Sequence, residues 1–142
     1  MSRITLEQAN AVIAAALEAG AGQGLKPLTV AVLDAGGHVI ALQRQDEAST
    51  LRPQIAIAKA AGALALGVSS RQIGEMASAR PSFINALAPM SANGVVPAAG
   101  GVIVVDGSGA VIGAVGVTGD HSDNDELCAL AGITAAQLHA QA

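Results

Sequence analysis

One pattern occurs twice in this chain and constrains its fold more than any other feature. Val32-Leu33-Asp34-Ala35-Gly36-Gly37-His38-Val39-Ile40 is echoed by Val104-Val105-Asp106-Gly107-Ser108-Gly109-Ala110-Val111-Ile112. Each copy is an apolar run, an aspartate, a glycine-rich turn and a second apolar run. Glycine takes positive φ at low cost and aspartate can bond its own backbone across a tight turn, so each copy predicts a β-hairpin. Ala-rich sequence of helical period lies between them. The pair therefore predicts one antiparallel sheet with helices packed on it, an α+β sandwich.

The remaining segments fit around these hairpins. Thr5 followed by Gln8 has the pattern of a capping box, and Leu6, Ala9, Val12, Ile13, Ala16 and Leu17 recur at helical spacing. Gly20, Gly22 and Gly24 stop that helix, and Pro27 precedes a strand from about residue 28. A polar loop over 44–50 leads to a helical stretch over 54–66, and 69–87 reads as shorter helical pieces broken near Pro81. Residues 89–101 read as a loop, with a fifth short strand near Val95. A turn over 118–123 then leads into a last helix over about 124–139, with Ser122 as its N-cap and acidic neighbours suited to the helix dipole.

With 142 residues, one domain spanning 1–142 is the expectation. Half of the chain is hydrophobic (51%), yet it contains one Phe and no Tyr or Trp. A mean hydropathy of +0.50 leaves little polar surface to cover a monomer, which predicts a homo-oligomer. A net charge of −4, with seven scattered basic residues and no aromatic platforms, argues against nucleic acid as a partner. Cys128 is a single cysteine, so no disulfide framework exists. The N-terminus lacks the pattern of a secretory signal, and charges and glycines interrupt every apolar stretch. A cytoplasmic protein with no membrane partner is the expectation.

Several residues carry chemistry. Arg44 and Asp46 lie in a loop, where Arg44 either clamps an anion with its planar donor fork or forms a surface ion pair. Lys59 is the only charge between Arg52 and Arg71. It either snorkels to water or points into a cavity as an anion anchor or proton carrier. Arg52 shares its helical stripe. Gly100-Gly101 precedes a strand rather than a helix, so it lacks phosphate-loop geometry and instead permits close backbone approach. His121 lies in an Asp-rich turn, Asp120-His121-Ser122-Asp123-Asn124-Asp125, whose spacing fits no EF-hand loop. No metal site is expected there, and His121 stands as a candidate general base or haem ligand. His38 and His139 read as solvated, and no nucleophilic triad or paired-cysteine zinc pattern is found.

Taken in order, Val32-Leu33-Asp34-Ala35-Gly36-Gly37, Arg44-x-Asp46-x-Ala48, Lys59-Ala60, Gly100-Gly101 and Gly113-Ala114-Val115-Gly116-Val117-Thr118-Gly119, followed by Asp125, Cys128, Ala129 and Gly132, resemble the GlcG/HbpS family. The resemblance implies a profilin-like α/β/α sandwich with a five-stranded antiparallel sheet, oligomeric assembly, and kinship with the C-terminal domain of PduO-type proteins. It also implies haem or another small ligand, and carries over Arg44, Asp46, Lys59, Gly100, Gly101 and Gly119 as ligand-binding positions. The first helix contains no histidine, so His121, Met76 and Met90 are the candidate iron donors.

Three functions follow as expectations. The first is an oligomer that binds a small anionic metabolite or tetrapyrrole in a pocket bordered by Arg44 and Lys59. The second is a cofactor-independent catabolic enzyme, with Lys59 or His121 moving a proton while Arg44 and the Gly100-Gly101 backbone hold an oxyanion. The third is a non-catalytic accessory protein.

Overall fold

A computed structural model describes residues 2–142. Helix α1 (Leu6–Gly22) leads into strands β1 (Thr29–Asp34) and β2 (Val39–Arg44). Helices α2 (Arg52–Leu66), α3 (Ser70–Ala79) and α4 (Pro81–Leu87) follow, the last continued by a 3-10 turn over Ala88–Met90. Strands β3 (Gly101–Val105) and β4 (Val111–Thr118), helix α5 (Ser122–Ala135) and a short β5 (His139–Ala140) complete the order. The strands form one sheet in the order β2-β1-β4-β3-β5, every pair antiparallel.

Both echoed motifs are hairpins closed by the same device. Asp34 Oδ1 accepts from the backbone N–H groups of Gly36 and His38, and Asp106 Oδ1 accepts from those of Ser108 and Ala110. The third turn residue has positive φ in each case, 84° at Gly37 and 86° at Gly109. The two hairpins meet through their inner strands, β1 and β4, at the centre of the sheet.

Alternation along the strands divides the core. Val30 and Val32 of β1, Val102 and Val104 of β3, and Val115 and Val117 of β4 meet Val12, Ile13, Cys128, Ala129 and Ile133 of α1 and α5. The intervening Leu33 and Ala114 meet Ala60 and Ala61 of α2. Side chains on successive strand residues point to opposite faces, so helices cover both sides of the sheet.

Helix α2 lies unusually close to its face. A Cβ on Gly116 would collide with the carbonyl oxygen of Ala56, and one on Gly101 with the carbonyl oxygen of Lys59. Two glycines on adjacent strands, paired in register, thus make a seat on which an alanine-rich helix rests by its backbone.

Three expectations are corrected. The fifth strand is His139–Ala140, which pairs with Val104 and Val105, while Val95 lies outside any strand. The last helix ends at Ala135, because Gln137 takes a left-handed φ of 61° and turns the chain back towards β3. The N-cap position of α5 is His121 rather than Ser122, and neither supplies a side-chain cap. The carboxylate of Asp125 reaches back to the Asp120 N–H instead. Among the described residues no helix is long and apolar enough to cross a membrane.

The seat makes a direct prediction. Gly116→Ala should destabilise the fold by about 3 kcal/mol, since overpacking against backbone cannot relax by side-chain rotation. Gly107→Ala, where an added Cβ meets nothing within 4 Å, should be near neutral. Urea unfolding of the two variants checks the contrast, and equal midpoints would contradict the packing described.

Candidate functional site

Because α2 sits so low on the sheet, Lys59 emerges beside the first residues of β3. Its stem and ammonium lie against Gly100, where any Cβ would fall 2.8 Å from Nζ. Gly100 has a φ of 131°, in the region that glycine alone adopts readily. The ammonium passes the end of the sheet, donates to the Val117 carbonyl at 2.9 Å, and meets Asp125 Oδ2 of α5 at 3.2 Å. The other oxygen of Asp125 accepts from the Asp120 N–H at 3.0 Å. One side chain thereby ties the helix on one face of the sheet to a helix on the other.

This pair is sealed, with Lys59 and Asp125 side chains 3% and 1% exposed. Burial pushes the Lys59 ammonium below its ordinary pKa and the Asp125 carboxyl above its own, while their mutual attraction opposes both shifts. Lys59 neither snorkels nor faces a cavity. Gly101 is equally committed: its N–H donates to the Ser70 hydroxyl at 2.7 Å. Gly119, at a φ of 147°, packs directly on Pro27 and Leu28. These glycines serve internal packing.

Arg44 lies elsewhere. It is exposed at the end of edge strand β2, where Gln43, Arg44, Gln45 and Asp46 form one wall of an open groove of about 490 Å³. Leu17, Leu25 and Pro27 contribute to the opposite side, and Lys59 does not reach it. Arg44 and Asp46 do not form the expected surface ion pair either. The pocket expected between Arg44 and Lys59 is therefore not formed. The sequence places both residues near the same end of the sheet, but α2 turns the lysine inward towards α5.

His121 is exposed at the start of α5 and lines none of the main clefts. Beside it, Asp120 accepts from the Lys26 N–H and from Asn124 Nδ2, and these bonds, the Asn124 one foremost, hold its carboxyl at a pKa of about 2. Arg71 bridges Asp123 and Glu126 on the surface of α5. Among the described residues no group of His, Cys, Asp and Glu could hold a metal ion. Cys128 is buried, and burial raises its thiol pKa, which leaves it unreactive.

Haem needs an iron donor, cations for its propionates and an apolar slot. An apolar cleft of about 470 Å³ between the end of α2 and residues 87–95 offers Met90, but no cation. Met76 lines no main cleft, and the Arg44 groove has no iron donor. A third cleft, of about 560 Å³ at the tip of the β1–β2 hairpin, has both. His38 and Arg3 line it above a floor of Ile4, Ile40 and Ile112, with the exposed Leu6 at its rim. His38 Nδ1 lies 3.4 Å from Asp34 Oδ1, and the imidazole is 82% exposed. The residues of this cleft fit the group. His38 is exposed, as the sequence reading of a solvated turn residue expects.

Comparison with known proteins agrees with this architecture. Residues 4–134 match the family described as haem degrading protein HbpS-like. Protein GlcG of Escherichia coli K12 is 35% identical over 116 residues, covering 81% of each chain. The crystal structure of HbpS superposes with a TM-score of 0.80 at 28% identity, over 94% of this chain and 90% of that one. Klebsiella pneumoniae protein ORFY gives 0.85 at 26% identity, over 96% and 93%. The PduOC:heme complex gives 0.87 at 20% identity, over 99% and 100%, a likeness of fold.

Two predictions concern the buried end of the sheet. Lys59→Met alone should cost about 3–5 kcal/mol by stranding Asp125, and adding Asp125→Leu should recover most of it. Chemical denaturation of the single and double variants reads this coupling. Asp120 has a folded pKa of about 2 against an ordinary 3.8. It therefore stabilises the fold above the ordinary value, and that contribution is lost as pH falls towards 2. The acid-unfolding curve of Asp120→Asn should lack this component, whereas a curve parallel to wild type would contradict the assignment.

Proposed function

This chain belongs to the HbpS-like family, and from that premise we propose that it binds a tetrapyrrole such as haem in the cleft at the β1–β2 hairpin tip. The observation that carries the reading is the company His38 keeps. An imidazole braced by a carboxylate, a guanidinium and an apolar floor share one opening of tetrapyrrole size. Leu6, which lines this cleft, is a large apolar side chain left 60% exposed. A flat apolar ligand would remove such surface from water.

The residues divide the work. Asp34 fixes the His38 ring from its Nδ1 side and is itself held by the backbone N–H groups of Gly36 and His38. The His38 N–H foremost holds the Asp34 carboxyl below its ordinary pKa, so it stays anionic and braces the ring. Gly36 lets the imidazole lie against the turn, since an added Cβ would stand 3.0 Å from Nδ1. Arg3 would pair with a propionate at the rim. Haem bound there would supply a redox-active iron centre.

The reading retains a cytoplasmic homo-oligomer. Its support is the apolar composition together with exposed Leu51 and Leu127 on surfaces away from this cleft. No specific observation favours an enzyme built on Lys59 and His121, since one is sealed in an ion pair and the other stands in solvent.

Haemin titration followed by absorbance tests the proposal. Wild type should give a saturable Soret shift. His38→Ala should abolish the ligated spectrum, and Arg3→Ala should weaken binding by about tenfold, the equivalent of 1.4 kcal/mol. A spectrum unchanged in His38→Ala would overturn the site.

A further inference from the structure

The end of the sheet away from the hairpin tips has its own chemistry. Cross-strand register sets Arg44 of β2, Thr29 of β1 and Thr118 of β4 side by side in one row. Residues paired directly across antiparallel strands project to the same face. That face is the one α2 covers, because Arg52, the first residue of α2, donates from Nη1 to Thr118 Oγ1 at 2.7 Å. Between them, Thr29 is fully buried and its hydroxyl has no partner. Buried hydroxyls are rarely left so.

Positive charge at this corner is uncompensated. Among the described residues neither Arg44 nor Arg52 lies within 4 Å of a carboxylate, although Arg52 is half-buried. Asp46 and Glu47 on the following loop are exposed and pair with neither. The buried carboxylate behind, Asp125, is taken up by Lys59 and the Asp120 N–H. The charge of Arg52 opposes protonation of Lys59, so the field of one cation is felt by the next. The first turn of α2 contains no acidic residue to offset that charge.

We infer that Arg44 and Arg52, set over the Thr29–Thr118 hydroxyl pair, form a subsite for the carboxylate of a small organic acid. A planar guanidinium fork matches a carboxylate with two parallel hydrogen bonds, and the strand register together with the Arg52–Thr118 bond brings two arginines to one corner of the sheet. Thr118 holds the Arg52 head in place, and the Thr29 hydroxyl supplies a donor that nothing within the protein uses. Lys59 takes no part. The subsite goes beyond the tetrapyrrole reading and is independent of it, since His38 lies at the other end of β1, roughly 17 Å away at 3.4 Å per strand residue.

Threonine-methyl NMR of the whole chain, titrated with succinate against chloride at matched ionic strength, tests the assignment. Succinate should shift the Thr29 and Thr118 signals saturably. Arg44→Gln and Arg52→Gln should each weaken binding about tenfold or more, while His38→Ala should bind as wild type does. Arg44 is exposed at a strand end, so its variant keeps the test open even if Arg52→Gln fails to fold. Unmoved threonine signals, or wild-type affinity in Arg44→Gln, would overturn the subsite. Inorganic phosphate binding where succinate does not would overturn the carboxylate assignment. A negative haemin titration would reject the hairpin-tip site alone.

Discussion

The rest of this structure depends on the contact between the backbone of α2 and two glycines of the sheet. Gly101 and Gly116 are register partners on neighbouring strands, and at each a single added carbon would strike a carbonyl of the helix. The helix can approach so closely because its buried face is mostly alanine. Its low seat brings Lys59 level with the first residues of β3, where the third glycine, Gly100, lets the ammonium pass the sheet to Val117 and Asp125. A higher helix would leave that lysine short of its partner, and the two outer layers would lose their direct polar tie.

A buried lysine–aspartate pair is weak evidence of net stability, because desolvation of both charges offsets much of their attraction. Its value here is geometric. It fixes how α2 and α5 meet around one end of the sheet, and through the Asp120 N–H it also sets the turn before α5. What first looks like reactive machinery, a lone lysine beside a glycine pair, is thus the fastening of a fold. The binding we propose uses the surfaces this fastening leaves open. An imidazole and a guanidinium share the hairpin-tip cleft, and at the far end Arg44 stands in register with Thr29 and Thr118 while Arg52 donates to Thr118.

Much of the architecture could be read along the chain. The echoed Asp–Gly turns identified both hairpins, because their side-chain-to-backbone bonds are local and need no tertiary partner. The capping box at Thr5 and the break at Pro81 are local in the same sense. The failures were equally physical. Strand β5 is two residues long and exists only because β3 offers it an edge, so no periodicity announces it. Val95, apolar and flanked by loop residues, packs against Gly62 of α2 instead of entering the sheet. For the site, residue type was legible and direction was not. Lys59 was a conspicuous charge in an apolar helix, but the sequence has no local signal that Asp125, 66 residues later, would receive it. Arg52 drew attention only as a neighbour of Lys59.

The sequence by itself determined the α+β class, the two hairpins and the start of α1, set by its capping box. Each of these rests on interactions spanning a few residues. Only the tertiary structure decided which charges are spent inside and which remain outward, because that depends on how far a helix can sink onto a sheet. The steric absence of two side chains, at Gly101 and Gly116, turned Lys59 inward and left Arg44, Arg52 and His38 to face what comes from solution.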